Sequence, residues 1–326
     1  MRSNLVVEIG VPDTLATTLS ESNIFEYLLP PLTKKRLIAN STANTIPIFD
    51  FVRVLNIYYF AVASIVIVFI KESKIMLEIQ KFTKIIAANW KMNGSINFIN
   101  NFLKDLDDLT FENIHDQSMC IIICPPFTHS YLLANKLKNC YLGGQNCSLF
   151  LEGAYTGDVS ASMLNDIGCQ FCLVGHSERR KIFNETNNEV SIKATNSLKN
   201  NIHPIICVGE TLQQKKDNQT KEILSKQIKE SINDDLNNDN TIIAYEPIWA
   251  IGSGLTPSLD EIEDIHNFIK NEIQGYENYK ILYGGSVKYA NSKEILNLDS
   301  VDGLLIGGAS LNVDEFNKIL SFQYSS

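Results

Sequence analysis

Ile85-Ile86-Ala87-Ala88-Asn89-Trp90-Lys91 is the stretch on which the fold turns. Its apolar run has the composition of a strand, and two architectures could continue from it. A doubly wound open sheet usually follows its first strand with a glycine-rich G-x-G-x-x-G turn. Here the run passes instead into an asparagine, a tryptophan and a lysine. Seven more short apolar runs follow, at 119–124, 141–144, 169–174, 204–208, 241–245, 281–283 and 303–306. Amphipathic segments separate them at 97–109, 128–137, 160–165, 189–198, 213–236, 259–273 and 292–296, and a last one, 313–320, closes the series. Eight strands, each followed by a helix, in roughly 250 residues is the rhythm of an α/β fold closed into a (β/α)8 barrel.

The rest of the chain bounds the problem. It has 326 residues, 44% hydrophobic and 20% charged, with a net charge of -9. That balance suits a globular protein and argues against general nucleic-acid binding. Seven cysteines in a chain of this length read as free thiols in a reducing compartment, which points to the cytoplasm. Cys169-Gln170-Phe171-Cys172 has redox or half-zinc spacing, but no second pair accompanies it, so two strand cysteines are expected and no metal site.

Composition changes near residue 75. Residues 1–75 contain no Cys, His or Trp and a single glycine, Gly10, so the chemistry belongs to residues 76–326. Within the first part, 54–70 is apolar except for Asn56 and Ser64 and is flanked by Arg53 and Lys71. Its 17 residues sit at the lower edge of a membrane-spanning helix. Three expectations stand: a membrane anchor, an extension packed on the body, or a working protein that starts at Met76.

In such a barrel, function gathers where strands end and βα loops begin. Those points carry Asn89 and Lys91 after the first strand, Gln145-Asn146 after the third, and His176, Ser177 and Glu178 after the fourth. Glu210 follows the fifth, Glu246 the sixth, Gly284-Gly285-Ser286 the seventh and Gly307-Gly308 the eighth. Two glycine turns leading toward helix starts can aim several backbone N–H groups at one anion, although each alone could be only a tight turn. Glu246, alone on its stretch, reads equally as a strand-end carboxylate or as a base. Facing a phosphate clamp, a histidine and a lysine, it could remove a proton next to a carbonyl, with His176 and Lys91 stabilising the charge that develops on oxygen. Glu178 could hold Lys91 by a salt bridge. The apolar segment after Glu246, with Trp249 and Ile251, could exclude water.

Seven stretches in this order resemble the triosephosphate isomerase family: 88–94, 153–157, 174–180, 207–210, 244–252, 283–287 and 302–311. Among them are Ala88-Asn89-Trp90-Lys91-Met92-Asn93-Gly94, Val174-Gly175-His176-Ser177-Glu178-Arg179-Arg180 and Ala244-Tyr245-Glu246-Pro247-Ile248-Trp249-Ala250-Ile251-Gly252. The resemblance implies a TIM barrel that interconverts dihydroxyacetone phosphate and glyceraldehyde 3-phosphate, in glycolysis and gluconeogenesis, without metal or cofactor. Carried over, Glu246 is the proton acceptor and His176 the electrophile, a pairing this family is known for and not one read from spacing. Asn89 and Lys91 contact substrate, and backbone N–H groups at Gly252, Ser286, Gly307 and Gly308 hold the phosphate, with Ser177 and Glu178 in support. Residues 247–256 correspond to the family's closing lid, and Tyr155-Thr156 to the loop that joins two subunits in a homodimer. Ser253 and Leu255-Thr256-Pro257 depart from the usual hinge, and Asp158 stands where glutamate is common.

Two other readings compete. One is a non-catalytic phosphate-binding barrel tethered by its N-terminal segment, which would have no need of Asn89, Lys91, His176 and Glu246 together. The other is an aldolase or synthase, which would place a Schiff-base lysine on a central strand; Lys91, after the first strand, is the nearest lysine.

Overall fold

The computed structural model describes residues 76–113, 119–134, 136–272 and 278–321. Residues 1–75, with the apolar run 54–70 and the three expectations attached to it, lie outside them. The described residues build a closed barrel of eight parallel strands in sequential order: β1 Lys84–Asn89, β2 Met119–Cys124, β3 Tyr141–Gly144, β4 Phe171–Val174, β5 His203–Val208, β6 Ile242–Tyr245, β7 Lys280–Tyr283 and β8 Gly303–Ile306. β1 closes the ring by pairing with β8, Ile85 opposite Gly303.

The strands are apolar in their interiors, with polar residues such as Lys84, Asn89, His203 and Lys280 at their ends, because both of their faces are covered. Period-two alternation sorts their residues into two cores. Ile86 and Ala88 of β1, Ile206 and Val208 of β5, and Ile243 and Tyr245 of β6 pack outward, in one cluster with helix residues such as Ile99, Phe102, Leu224 and Phe316. Ile85 and Ala87, Ile205 and Cys207, and Ile242 and Ala244 point inward and pack against one another, with Ile79 and Phe82 in the same cluster. Each such buried Ile or Phe contributes about 1.5–3 kcal/mol relative to an exposed position. The same parity carries on at the strand ends: Asn89 follows Ala87, Glu246 follows Ala244 and Gly307 follows Leu305. Side chains at those positions therefore enter the mouth of the barrel.

Among the described residues, ten α-helices form the outer ring: α1 Ile96–Asn113, α2 Phe127–Ala134, α3 Ala161–Asp166, α4 Ser177–Ile182, α5 Asn187–Lys199, α6 Leu212–Lys216, α7 Thr220–Ser231, α8 Leu259–Asn267, α9 Tyr289–Leu296 and α10 Val313–Leu320. Local signals set several starts. Ser160 caps α3 by accepting the Met163 N–H, and Thr186–Glu189 and Ser258–Glu261 form reciprocal capping boxes on α5 and α8.

Two expectations needed correction. The segment 213–236 is two helices, because Asn218 takes a left-handed conformation (φ 57°) and ends α6. The segment 259–273 is α-helical only to Asn267 and then widens into a π turn over Phe268–Glu272. All seven cysteines are free, and both Cys169 and Cys172 are buried, with Cys172 on β4. Among the described residues no helix is long and apolar enough to cross a membrane, and no cluster of three or more His, Cys, Asp or Glu could hold a metal.

Candidate active site

A cavity of about 390 Å³ opens at the carboxyl ends of the strands. Asn89, Lys91, His176 and Glu246 line one part of it, and Gly252, Ser286, Gly307 and Gly308 line another. All eight residues singled out for substrate contact thus meet at one place. Ser177 and Glu178 do not line it; the Ser177 N–H donates to Glu246, and Glu178 pairs with Lys91.

Glu246 ends β6 and is almost fully buried, 2% exposed. Its Oε1 lies 2.9 Å from His176 Nε2, and its Oε2 accepts the Ser177 N–H at 2.9 Å. Burial pushes a carboxyl group toward its neutral form, but the imidazole and the Ser177 N–H outweigh it, so the Glu246 pKa lies below the usual carboxylate value. These contacts favour the charged form of Glu246.

His176 caps α4, and its Nδ1 accepts the Glu178 N–H at 3.2 Å. A ring that accepts at Nδ1 carries its neutral-state proton on Nε2, where it faces Glu246 and the cavity. Burial favours the neutral ring, and the Glu246 carboxylate more than offsets it, raising the His176 pKa above its ordinary value in this arrangement. Separating the two removes the larger part of that rise and leaves the smaller contribution of the Glu178 carboxylate, which the Lys91 ammonium opposes. The helix start at Glu178 N–H, which needs a lone pair at Nδ1, then favours the neutral imidazole.

Lys91 pairs with Glu178 Oε1 at 2.6 Å, the salt bridge anticipated from the sequence. Its backbone is unusual, with φ 53° in the left-handed region, a conformation that costs a non-glycine residue about 1–3 kcal/mol. Two side chains hold it there. Asn89 Oδ1 accepts the Lys91 N–H at 3.0 Å, and Gln145 Nε2 donates to the Lys91 carbonyl at 2.8 Å and to that of Cys124 at 2.9 Å. Gln145 had been placed at a strand end by spacing, without a role.

The glycine turns complete the lining beside these groups: a Cβ at Gly307 would lie 3.4 Å from Lys91 Cε, and one at Gly284 2.9 Å from Glu246 Cγ. Gly284-Gly285-Ser286 leaves β7 ahead of α9, and Gly307-Gly308 leaves β8 through a 3-10 turn, Gly308–Leu311, ahead of α10. Ser286 Oγ donates to the Ala250 carbonyl, which ties this wall to the segment that follows Glu246. That segment begins with a 3-10 turn, Ile248–Ala250, and becomes exposed from Gly252 to Thr256. Gly252 has φ 66° and open space on its Cβ side, so its backbone is free of neighbours there.

Ile251 lines the cavity and Trp249 does not. The indole N–H of Trp249 donates to Glu210 Oε1 at 2.7 Å, which gives Glu210, also left without a role by its sequence position, a place under the loop. Burial raises the Glu210 pKa, and the bonds from Trp249 and Tyr245 act against that rise. Lys288 and Glu315 complete the outer wall of the cavity. Glu315 sits in the first turn of α10, where nothing in its local sequence marks it as near a site.

Fold and site together define an acid–base enzyme of the (β/α)8 barrel class. A sequence profile described as triosephosphate isomerase matches residues 84–323. The chain belongs to the triosephosphate isomerase family, whose members are isomerases. It is 42% identical over 247 residues to the triosephosphate isomerase of Buchnera aphidicola subsp. Cinara cedri, covering 72% of this chain and 96% of that protein. It is 40% identical over 252 residues to that of Alkaliphilus oremlandii, covering 73% and 98%. Among solved structures, the crystal structure of triosephosphate isomerase from Bartonella henselae superposes with a TM-score of 0.66 at 35% identity. That match covers 73% of this chain and 98% of the other.

Proposed function

We propose that this site interconverts dihydroxyacetone phosphate and glyceraldehyde 3-phosphate through an enediolate, with Glu246 as the proton-transferring base. The observation that carries this reading is the meeting of a buried Glu246, His176 Nε2 and the Lys91 ammonium on a cavity that two glycine turns also line. Backbone N–H groups at Gly252, Ser286, Gly307 and Gly308 take the phosphate, where glycine lets an anion come close. The bound triose separates Glu246 from His176. The Glu246 carboxylate then accepts the proton of the carbon beside the carbonyl, while the Nε2–H of His176 and the Lys91 ammonium, with Asn89 beside them, stabilise the enediolate oxygens. His176 Nε2 gives its proton to the former carbonyl oxygen and takes one back from the neighbouring hydroxyl. Glu246 returns its proton to the neighbouring carbon, and the isomerisation is complete with the protein unchanged. Residues 247–256 close over the intermediate and keep water out, since an enediolate next to a phosphate group eliminates it readily in water.

We assign catalysis to residues 76–326 and place the enzyme in the cytoplasm, a location in keeping with seven free thiols. It works as a homodimer through the loop at Tyr155-Thr156. Phe150 and Tyr155 stack at 3.7 Å on this loop and stay 43% and 42% exposed, apolar area that a second copy would cover. Ser148 Oγ donates to Asp158 Oδ2 at 2.6 Å at the base of the loop, so the shorter acid there still fixes its shape.

The test is a coupled assay with the purified chain, run in deuterated water. Isomerisation with deuterium appearing at the carbon next to the carbonyl is the expected result. A folded protein that turns over neither triose phosphate would refute the proposal.

A further inference from the structure

The loop after Glu246 is fastened on one side by a cation that plays no part in binding or proton transfer. Lys215, on α6, places its ammonium 3.6 Å from the centre of the Trp249 ring and 2.9 Å from Glu261 Oε1. Glu261 is itself fixed, because its Oε2 accepts the Ser258 N–H at 2.9 Å at the start of α8. Ser258 directly follows Pro257, where the loop ends. One ammonium therefore links three pieces: the helix after β5, the first leg of the loop at Trp249, and the helix that begins at its second leg.

The topology gives this brace a direction. β6 lies between β5 and β7 in the barrel. The phosphate cradle proposed above belongs to the turns after β7 and β8, on one side of the loop. Both tethers of Trp249, the Glu210 carboxylate and the Lys215 ammonium, come from the segment after β5, on the other side. At the tip, a Cβ at Gly252 or Gly254 would meet no atom within 4 Å, and Ser253 Oγ bonds within the loop itself, donating to the Trp249 carbonyl at 2.9 Å and accepting the Leu255 N–H at 3.1 Å. Moving the tip toward β7 and β8 draws Trp249 away from its two partners.

We propose that Lys215 is a positioning residue that stabilises the open loop by lying on the Trp249 ring, aimed there by Glu261. This rests on the reading of residues 247–256 as a closing lid. A cation over a partly exposed indole contributes enough to shift an open–closed equilibrium about two- to fivefold. When the open form dominates, that factor passes directly into the affinity for any ligand that requires closure. Lys215→Met keeps the aliphatic stem and removes the charge, and Lys215→Arg keeps a cation able to stack and to pair with Glu261.

The experiment measures binding of 2-phosphoglycolate, a stable anion shaped like a phosphorylated enediolate, by calorimetry on the full-length chain. Steady-state KM and the indole emission of the unliganded protein are measured alongside. Lys215→Met should bind about two- to fivefold more tightly, lower KM by a similar factor and alter the emission of Trp249, while Lys215→Arg should restore wild-type affinity. An active wild type with Lys215→Met binding no more tightly than it would overturn the brace alone. A folded wild type that neither isomerises trioses nor binds 2-phosphoglycolate would overturn the lid reading, and the brace with it.

Discussion

At the residue scale, the site is held ready by side chains that never touch substrate. Lys91 occupies a left-handed backbone conformation that Gln145 secures through the Lys91 and Cys124 carbonyls. Truncating Gln145 to Ala takes the donor from the Lys91 carbonyl in a partly buried place and leaves the Cys124 carbonyl with the Trp90 N–H alone. The expected loss is about 1–3 kcal/mol of stability, read from urea unfolding, together with a rise in KM as Lys91 leaves its position. A variant as stable as wild type with unchanged KM would show that Lys91 keeps its pose without this support. His176 is poised in a similar way, its tautomer set by the Glu178 N–H.

At the element scale, the β5–β6 pairing fixes where Glu246 sits. Gly209 follows β5, and a Cβ built there would overlap the carbonyl oxygen of Glu246. Gly209→Ala must push that backbone aside, and a displacement near 1 Å at a catalytic group costs on the order of 10²-fold in rate. We expect kcat to fall by that order while far-ultraviolet circular dichroism stays that of wild type; an unimpaired kcat would mean the rim yields without moving Glu246. Much of this element-level organisation was legible in the sequence. The inward parity of Ala87 and Asn89, and of Ala244 and Glu246, follows from strand alternation alone once the eight runs are counted. Helix breaks were harder to see, because an asparagine such as Asn218 is as acceptable on a polar helix face as in a left-handed cap. Contacts between distant segments were hidden altogether. Glu210 with Trp249, Gln145 with Lys91 and Glu315 at the cavity wall depend on the closed ring, and no local pattern encodes which strand end faces which.

For the whole molecule, one buried histidine ties stability to pH. His266 is fully buried between Tyr245 and Tyr283, and its Nδ1–H donates to the Ser300 carbonyl at 3.2 Å. Burial lowers its pKa from the ordinary 6.5 to about 3. Between those values the unfolded chain takes up a proton that the folded chain refuses. Its contribution is therefore fully present above about pH 6.5 and is lost progressively as pH falls toward 3, at up to about 1.4 kcal/mol per pH unit. Urea unfolding at pH 7 and pH 5 should show a smaller loss of stability for His266→Gln than for wild type; parallel losses would assign the acid sensitivity to other groups. The exposed stack of Phe150 and Tyr155 bears on assembly at the same scale. Tyr155→Asp should shift sedimentation from a dimer toward a monomer, and a wild type that sediments as a monomer at micromolar concentration would contradict the proposed subunit contact.

The central claim is that Glu246 is the base, brought to the substrate carbon by the end of β6. Replacing it with aspartate keeps the charge and withdraws the carboxylate by one methylene. Steady-state kinetics of Glu246→Asp should show kcat reduced on the order of 10²-fold or more with KM changed far less, because the loss falls on the transition state. A variant with unchanged kcat and a raised KM would make Glu246 a binding residue and contradict the account.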